Sequence, residues 1–136
     1  MMVPQTAQEI RLVRRLWSRR HEAVFVPFLE VSMGDWEPQQ HACHANADWW
    51  AMNNAGWQAV RGWWLLDVSF FGRVMFLAHS IVEHADGLLA DITPAPTTAA
   101  YPFLLHHGDD EEYAAFISDS GVTQFDCGID MLLAAE

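Results

Sequence analysis

Pro38-Gln-Gln-His-Ala-Cys-His-Ala-Asn-Ala-Asp-Trp-Trp50 joins a proline-bearing loop to a helical pattern. Cys43, Ala47, Trp50 and Ala51 recur at helical spacing, which puts the thiol and its apolar continuation on one face. The first-turn amides of a helix have no intrahelical partner and carry partial positive charge. A cysteine held there has its thiolate stabilised and its pKa lowered. A working nucleophile also needs a base, and the base needs a third group to orient it. Two later stretches offer both. Phe76-Leu-Ala-His-Ser-Ile-Val-Glu83 carries His79, and Gly87-Leu-Leu-Ala-Asp-Ile-Thr-Pro94 carries Asp91.

Working outward, Asn53-Asn-Ala-Gly56 ends the Cys43 helix, with Gly56 a suitable terminator. Trp57 to Asp67 has strand character with large apolar groups on both faces, so it is expected to be covered on both sides. Within it Gly62 marks a close approach by a backbone or a substrate. Trp63 and Trp64 read as packing residues. Ser69-Phe-Phe-Gly72 reads as a turn, Arg73 to Glu83 as the longest strand, Ala85-Asp-Gly87 as a hairpin signal, and Leu88 to Thr93 as the return strand.

That hairpin decides whether His79 and Asp91 meet. A two-residue Asp86-Gly87 turn puts them on opposite faces of the sheet. A three-residue loop of His84-Ala85-Asp86 pairs Glu83 with Gly87 and sets His79 directly opposite Asp91. The expectation is an odd-numbered loop, or a bulge that shifts the phase by one residue. Glu83 and Asp86 stand as substitutes for Asp91.

The order of a Cys at a helix start, a His in one strand and an Asp in the next resembles the transglutaminase-like and papain-like thiol enzymes. The resemblance spans Gln39 to Pro94. Its most specific part runs from Val60-Arg-Gly-Trp through His79-Ser-Ile-Val-Glu and Asp86-Gly to Asp91-Ile-Thr-Pro. Transglutaminase-like cores carry Asp-Pro-Thr or a near relative where this chain has Asp-Ile-Thr-Pro. The resemblance implies a catalytic triad of Cys43, His79 and Asp91. It also implies an oxyanion glutamine, for which Gln39 and Gln40 are the candidates, closer to the cysteine than papain-like spacing has it. The implied chemistry is acyl transfer or hydrolysis on an amide or thioester, by a peptidase, amidase, deamidase or transglutaminase-like enzyme, without a cofactor. The implied partner is a peptide, a protein side chain or a small amide.

The chain of 136 residues reads as one domain, with 1–20 a basic amphipathic helix and 39–94 the thiol-enzyme-like core. Half of its residues are hydrophobic and seven are Trp, which excludes a disordered chain. No apolar run approaches the ~20 residues needed to span a bilayer. Glu9 and five arginines interrupt what would be a signal sequence, so the expected compartment is the cytoplasm. The net charge is −11, yet residues 1–20 hold Arg11, Arg14, Arg15, Arg19 and Arg20 against Glu9 alone. The remaining segment is strongly acidic, which argues against nucleic acid or anionic membrane as partner. The arginines are expected to meet acids of the same chain or of a sister subunit in a homo-oligomer.

Thr6 and Glu9 have capping-box spacing, and Ile10, Val13, Leu16 and Trp17 form an apolar stripe behind them. Ala23 to Val31, around Pro27, reads as a short or edge strand. Tyr101 to Leu105 reads as extended, Asp109 to Ile117 as a short helix with acids at its start, and Val122 to Phe125 as a final strand. The architecture expected is α+β: a central Cys-bearing helix packed on a mostly antiparallel sheet.

Two other readings compete. His41-x-Cys43-His44 with His106-His107 is a candidate zinc set, although its spacing matches no common signature. A non-catalytic binding module could keep the thiol-enzyme shape, because fold does not fix function.

Overall fold

The computed structural model describes residues 2–95, 101–117 and 123–134. Helix α1 (Ala7–Ser18) begins at the expected capping box, with Thr6 Oγ1 accepting from the Glu9 amide at 3.0 Å and Glu9 reaching back to the Thr6 amide at 3.1 Å. Its buried stripe is Leu12, Val13, Leu16 and Trp17; Leu12 takes the place expected for Ile10, which is only half-buried. Helix α2 (Cys43–Asn53) follows a long irregular stretch. Strands β1 (Trp57–Val68) and β2 (Arg73–His84) form a twelve-pair antiparallel ladder, turned by a single 3-10 turn at Ser69–Phe71. The remaining elements are β3 (Leu89–Ala90), β4 (Phe103–Leu105), α3 (Asp110–Phe116), β5 (Gln124–Gly128) and α4 (Ile129–Leu133).

The sheet is antiparallel throughout, with the order β3-β2-β1-β4, and β5 also pairs with β2. A twelve-residue strand can serve two partners along one edge. Strand β5 takes Arg73 to Leu77 and β3 takes Val82 and Glu83. The curled sheet that results has two apolar clusters. The larger one packs α1 and α4 with Trp63, Leu65, Val74, Phe76, Leu104, Tyr113 and Phe125. The smaller one packs Ala47 of α2 against Val82, Ala90 and Ile92, flanked by Trp36, Trp50 and Trp57. The architecture is mixed α+β, with α2 lying against β1 and β2 as the sequence led one to expect.

Ala23 to Val31 forms isolated bridges rather than a strand, with Val24 to Phe103 and Phe28 to Asp91; Pro27 in its middle has no amide to offer a ladder. The final strand starts later than expected, at Gln124, and Val122 lies outside the described residues. The arginines of 1–20 mostly meet carbonyls instead of acids. Arg14 donates to Met131 O at 3.0 Å, Arg19 to Leu105 O at 2.9 Å, and Arg20 to Trp17 O at 2.9 Å, with its guanidinium over the Trp17 ring. Among the described residues only Arg19 of the five pairs with an acid, Glu22 at 3.5 Å. Backbone carbonyls near helix and strand ends are natural acceptors for a guanidinium fork. No helix among the described residues is long and apolar enough to cross a membrane.

Candidate active site

Cys43 is the first residue of α2, reached through Ala42 at the N-cap. Alanine has no side chain to cap the helix, so the first-turn amides are left open at the thiol. Two residues earlier His41 adopts φ 63, a left-handed conformation uncommon outside glycine, which turns the loop sharply into the helix.

Asn46, one turn along and 4 % exposed, locks that loop. Its Oδ1 accepts from the Gln39 amide at 3.1 Å, while its Nδ2 donates to Gln39 O at 2.8 Å and to Thr93 Oγ1 at 3.0 Å. One side chain therefore ties together the loop before the thiol, the helix, and the segment that carries Asp91. Replacing it with leucine strips the buried Thr93 hydroxyl and both backbone groups of Gln39 of their partner. Asn46→Leu is expected to cost about 2 kcal/mol in a denaturation measurement, within the range for buried polar groups left unpaired. A change below ~0.5 kcal/mol, the surface-residue level, would show that the clip is dispensable.

His79 and Asp91 are brought together. Their Nε2–Oδ2 distance is 2.7 Å, and both are buried. The hairpin loop is three residues, Ala85 to Gly87, because the His84 amide donates to Leu88 O and Val82 pairs with Ala90. The odd loop was expected, but the pairing of Glu83 with Gly87 was not found: Glu83 pairs with Leu89. In this register Asp91 falls opposite Ile81, two places from His79 and on the same face, so the contact is diagonal rather than direct. Asp91 is pinned at both ends. Its backbone bonds Pro27 O and the Leu29 amide, each at 2.9 Å, and its Oδ1 accepts from the Thr93 amide at 3.1 Å. Trp64 stacks on the His79 ring at 3.7 Å and 19°, which fixes the imidazole plane. Glu83 is bonded to Gln58 and Asp86 to His84 and the Leu88 amide, so neither replaces Asp91.

With Nε2 committed to Asp91, His79 still acts on the Cys43 thiol, and each group shifts the other. Burial opposes the Cys43 thiolate, but the imidazoles of His44 and His79 outweigh it and bring the thiol down to about 6. Burial likewise opposes a charged His79, and Asp91 with Cys43 outweighs it, raising the imidazole to about 9. The two form a coupled thiolate–imidazolium pair across the interval between those values.

Residues that the sequence reading passed over complete the site. His44, weighed there only as a metal ligand, puts Nδ1 at 2.6 Å from Ser80 Oγ. Arg61 donates to Ser80 Oγ at 3.0 Å and pairs with Asp48 at 2.6 Å. Tyr113, from α3, donates its hydroxyl to Gly62 O at 2.8 Å and lies edge-on to His44. The adjacency of His44 to Cys43 was the only sequence signal for this group; the rest depends on long-range contacts.

The two candidate oxyanion glutamines are Gln39 and Gln40. Both are exposed, and the Gln39 side-chain amide donates to Glu37 O at 3.2 Å. The zinc set is not assembled: among the described residues no group of three or more His, Cys, Asp or Glu is placed to hold a metal ion. His106 is turned instead to Trp63 Nε1 and Glu112. Asp91 and Trp64 line a cavity of about 640 Å³, whose wall also includes Val31, Pro38, Ile92, Tyr101, Glu30 and Glu37. No family model, curated protein or solved structure matches the chain.

Proposed function

We propose that the chain is a thiol hydrolase or acyltransferase acting on an amide or thioester, with a transglutaminase-like or papain-like core. The observation that carries this reading is the buried His79–Asp91 pair, Nε2 lying 2.7 Å from a pinned carboxylate, together with a helix-start thiol that the same imidazole draws down. Asp91 holds the His79 tautomer and stabilises its imidazolium. The Cys43 thiolate attacks the carbonyl carbon. A C–S bond forms and the carbonyl electron pair moves to oxygen. The open first-turn amide of Cys43 is the donor at hand for that oxyanion. Collapse expels the amine or thiol, which takes its proton from His79. Water, deprotonated by His79, then releases the acyl group in a hydrolase or deamidase; an amine does so in a transferase. The apolar cavity next to Trp64 offers room for the substrate's side group, and Glu30 and Glu37 favour a neutral or cationic one.

The test is acylation by p-nitrophenyl acetate, followed by intact mass and by p-nitrophenolate release. One acetyl group is expected on Cys43, absent in Cys43→Ser and strongly slowed in His79→Ala. Acetylation that ignores both substitutions removes the reading. The acylation rate should rise with pH through about 6, as the thiolate forms. With an amide substrate it should fall again through about 9, where His79 loses the proton that the leaving amine needs. A single rise near 8.5, the ordinary cysteine value, would mean that the ion pair does not exist.

A further inference from the structure

We propose that His44 is a positioning residue that holds the Cys43 thiolate through Nε2–H, in a tautomer set by Ser80 and Arg61. The inference rests on the thiol-enzyme reading above and adds a second imidazole to it, with a role opposite to that of His79.

The tautomer follows from a chain of donors. A guanidinium only donates, so Ser80 Oγ accepts from Arg61 Nη1 at 3.0 Å. Asp48, one turn beyond His44 on α2, fixes that guanidinium at 2.6 Å. The Ser80 hydroxyl keeps its own proton to give, and its neighbour at 2.6 Å is His44 Nδ1. Nδ1 then accepts, and the imidazole proton sits on Nε2. That nitrogen is buried and has no hydrogen-bond partner among the described residues. Buried N–H groups in native proteins find acceptors. In the proposed arrangement the acceptor is the sulfur of the adjacent Cys43, whose thiolate this imidazole stabilises.

The groups facing the two side chains come from every packed element: Arg61 from β1, His79 and Ser80 from β2, Tyr113 from α3, and Asp48 on α2 itself. Tyr113 contributes a ring edge and a hydroxyl already given to Gly62 O. The two imidazoles thereby divide the work. His79, backed by Asp91, exchanges its proton with leaving group and water. His44, backed by a hydroxyl and a guanidinium, keeps its proton and holds the sulfur both before attack and when the thiolate is expelled from the acyl-enzyme.

The experiment measures the pH midpoint of Cys43 alkylation by iodoacetamide in the wild type, His44→Phe, His44→Gln and Ser80→Ala, with circular dichroism as the folding check. His44→Phe is expected to raise the midpoint by roughly one to two units, a ten- to hundredfold slower reaction on the acid side. His44→Gln retains an N–H and is expected to stay near the wild type. Ser80→Ala frees the tautomer and is expected to fall between the two; should His44→Phe not fold, this variant decides. A folded His44→Phe with the wild-type midpoint overturns the inference, as does a folded His44→Gln that matches His44→Phe. A wild-type midpoint in the ordinary cysteine range removes the thiol-enzyme reading itself, whereas a low wild-type midpoint indifferent to His44 and Ser80 removes only the role given to His44.

Discussion

Iodoacetamide at pH 7 is expected to modify Cys43 at least ~100-fold faster than Cys127. The two thiols are pushed in opposite directions. Cys43 comes down to about 6 between two imidazoles at an open helix start. Cys127, in β5 and fully buried, goes up to about 12 because burial, and then the Asp126 carboxylate, disfavour its thiolate. At pH 7 those values make the thiolate fractions differ by ~10⁵. A thiolate of low pKa is intrinsically less nucleophilic, with a Brønsted slope of about 0.4–0.5, which returns up to ~10³ of that ratio. What remains is ~10², before counting that the reagent reaches half-buried Cys43 more easily than enclosed Cys127. His79→Ala removes one of the partners that hold the thiolate and is expected to slow Cys43 at pH 7 while leaving Cys127 alone. Peptide mapping of a timed reaction gives both rates from one sample. Equal rates for the two cysteines, or a Cys43 rate indifferent to His79, would be incompatible with an activated nucleophile.

The second large effect is on stability. Gly62→Ala is expected to cost about 3 kcal/mol or more, the upper end of overpacking penalties. Gly62 sits mid-ladder in β1, paired with His79 on one side and Leu105 on the other. A Cβ built there collides with the Phe103 ring and with the Leu104 carbonyl oxygen. The ring can turn aside, but the carbonyl belongs to the neighbouring strand and moves only if β4 does. The same shift would disturb Gly62 O, the acceptor of the Tyr113 hydroxyl, and with it the backing of His44. Gly72→Ala makes the control. Gly72 has φ 81 and open space around the missing Cβ, so its cost is conformational alone, ~1 kcal/mol. Urea unfolding of the two variants separates the causes. A Gly62→Ala protein no less stable than Gly72→Ala would show that β4 adjusts at little cost and that the close approach is not a constraint.

Both experiments probe features that differ in how they were written into the chain. Spacing along the chain was enough to place the local elements. Capping-box spacing placed the start of α1, the 43–53 periodicity placed α2, and two long alternating runs around Ser69-Phe-Phe-Gly72 placed the β1–β2 hairpin. Gly62 was legible as a close approach, because a glycine amid bulky strand residues has few other reasons to be there. The phase of the β2–β3 loop was expected only by way of the triad, because strand side chains alternate with period two and only an odd loop lets His79 and Asp91 share a face.

The actual register, with Glu83 on Leu89, came from long-range packing, since turn residues such as Ala85-Asp-Gly87 are compatible with more than one pairing. The same packing also decided how β2 shares its edge between β3 and β5, a matter of contacts far apart in sequence. Arg14, Arg19 and Arg20 found carbonyls, and Arg19 an acid as well, because charge counts say nothing about which backbone groups lie nearby. The surroundings of the thiol were hidden for the same reason. Arg61, Ser80, Trp64 and Tyr113 are ordinary strand and helix residues in one dimension, and each gains its role from a partner on another element: His44 for Ser80, His79 for Trp64, Gly62 for Tyr113. Periodicity and spacing report on neighbours a few residues away along the chain. A hydrogen-bond network assembled across β1, β2, α2 and α3 leaves no such periodic trace.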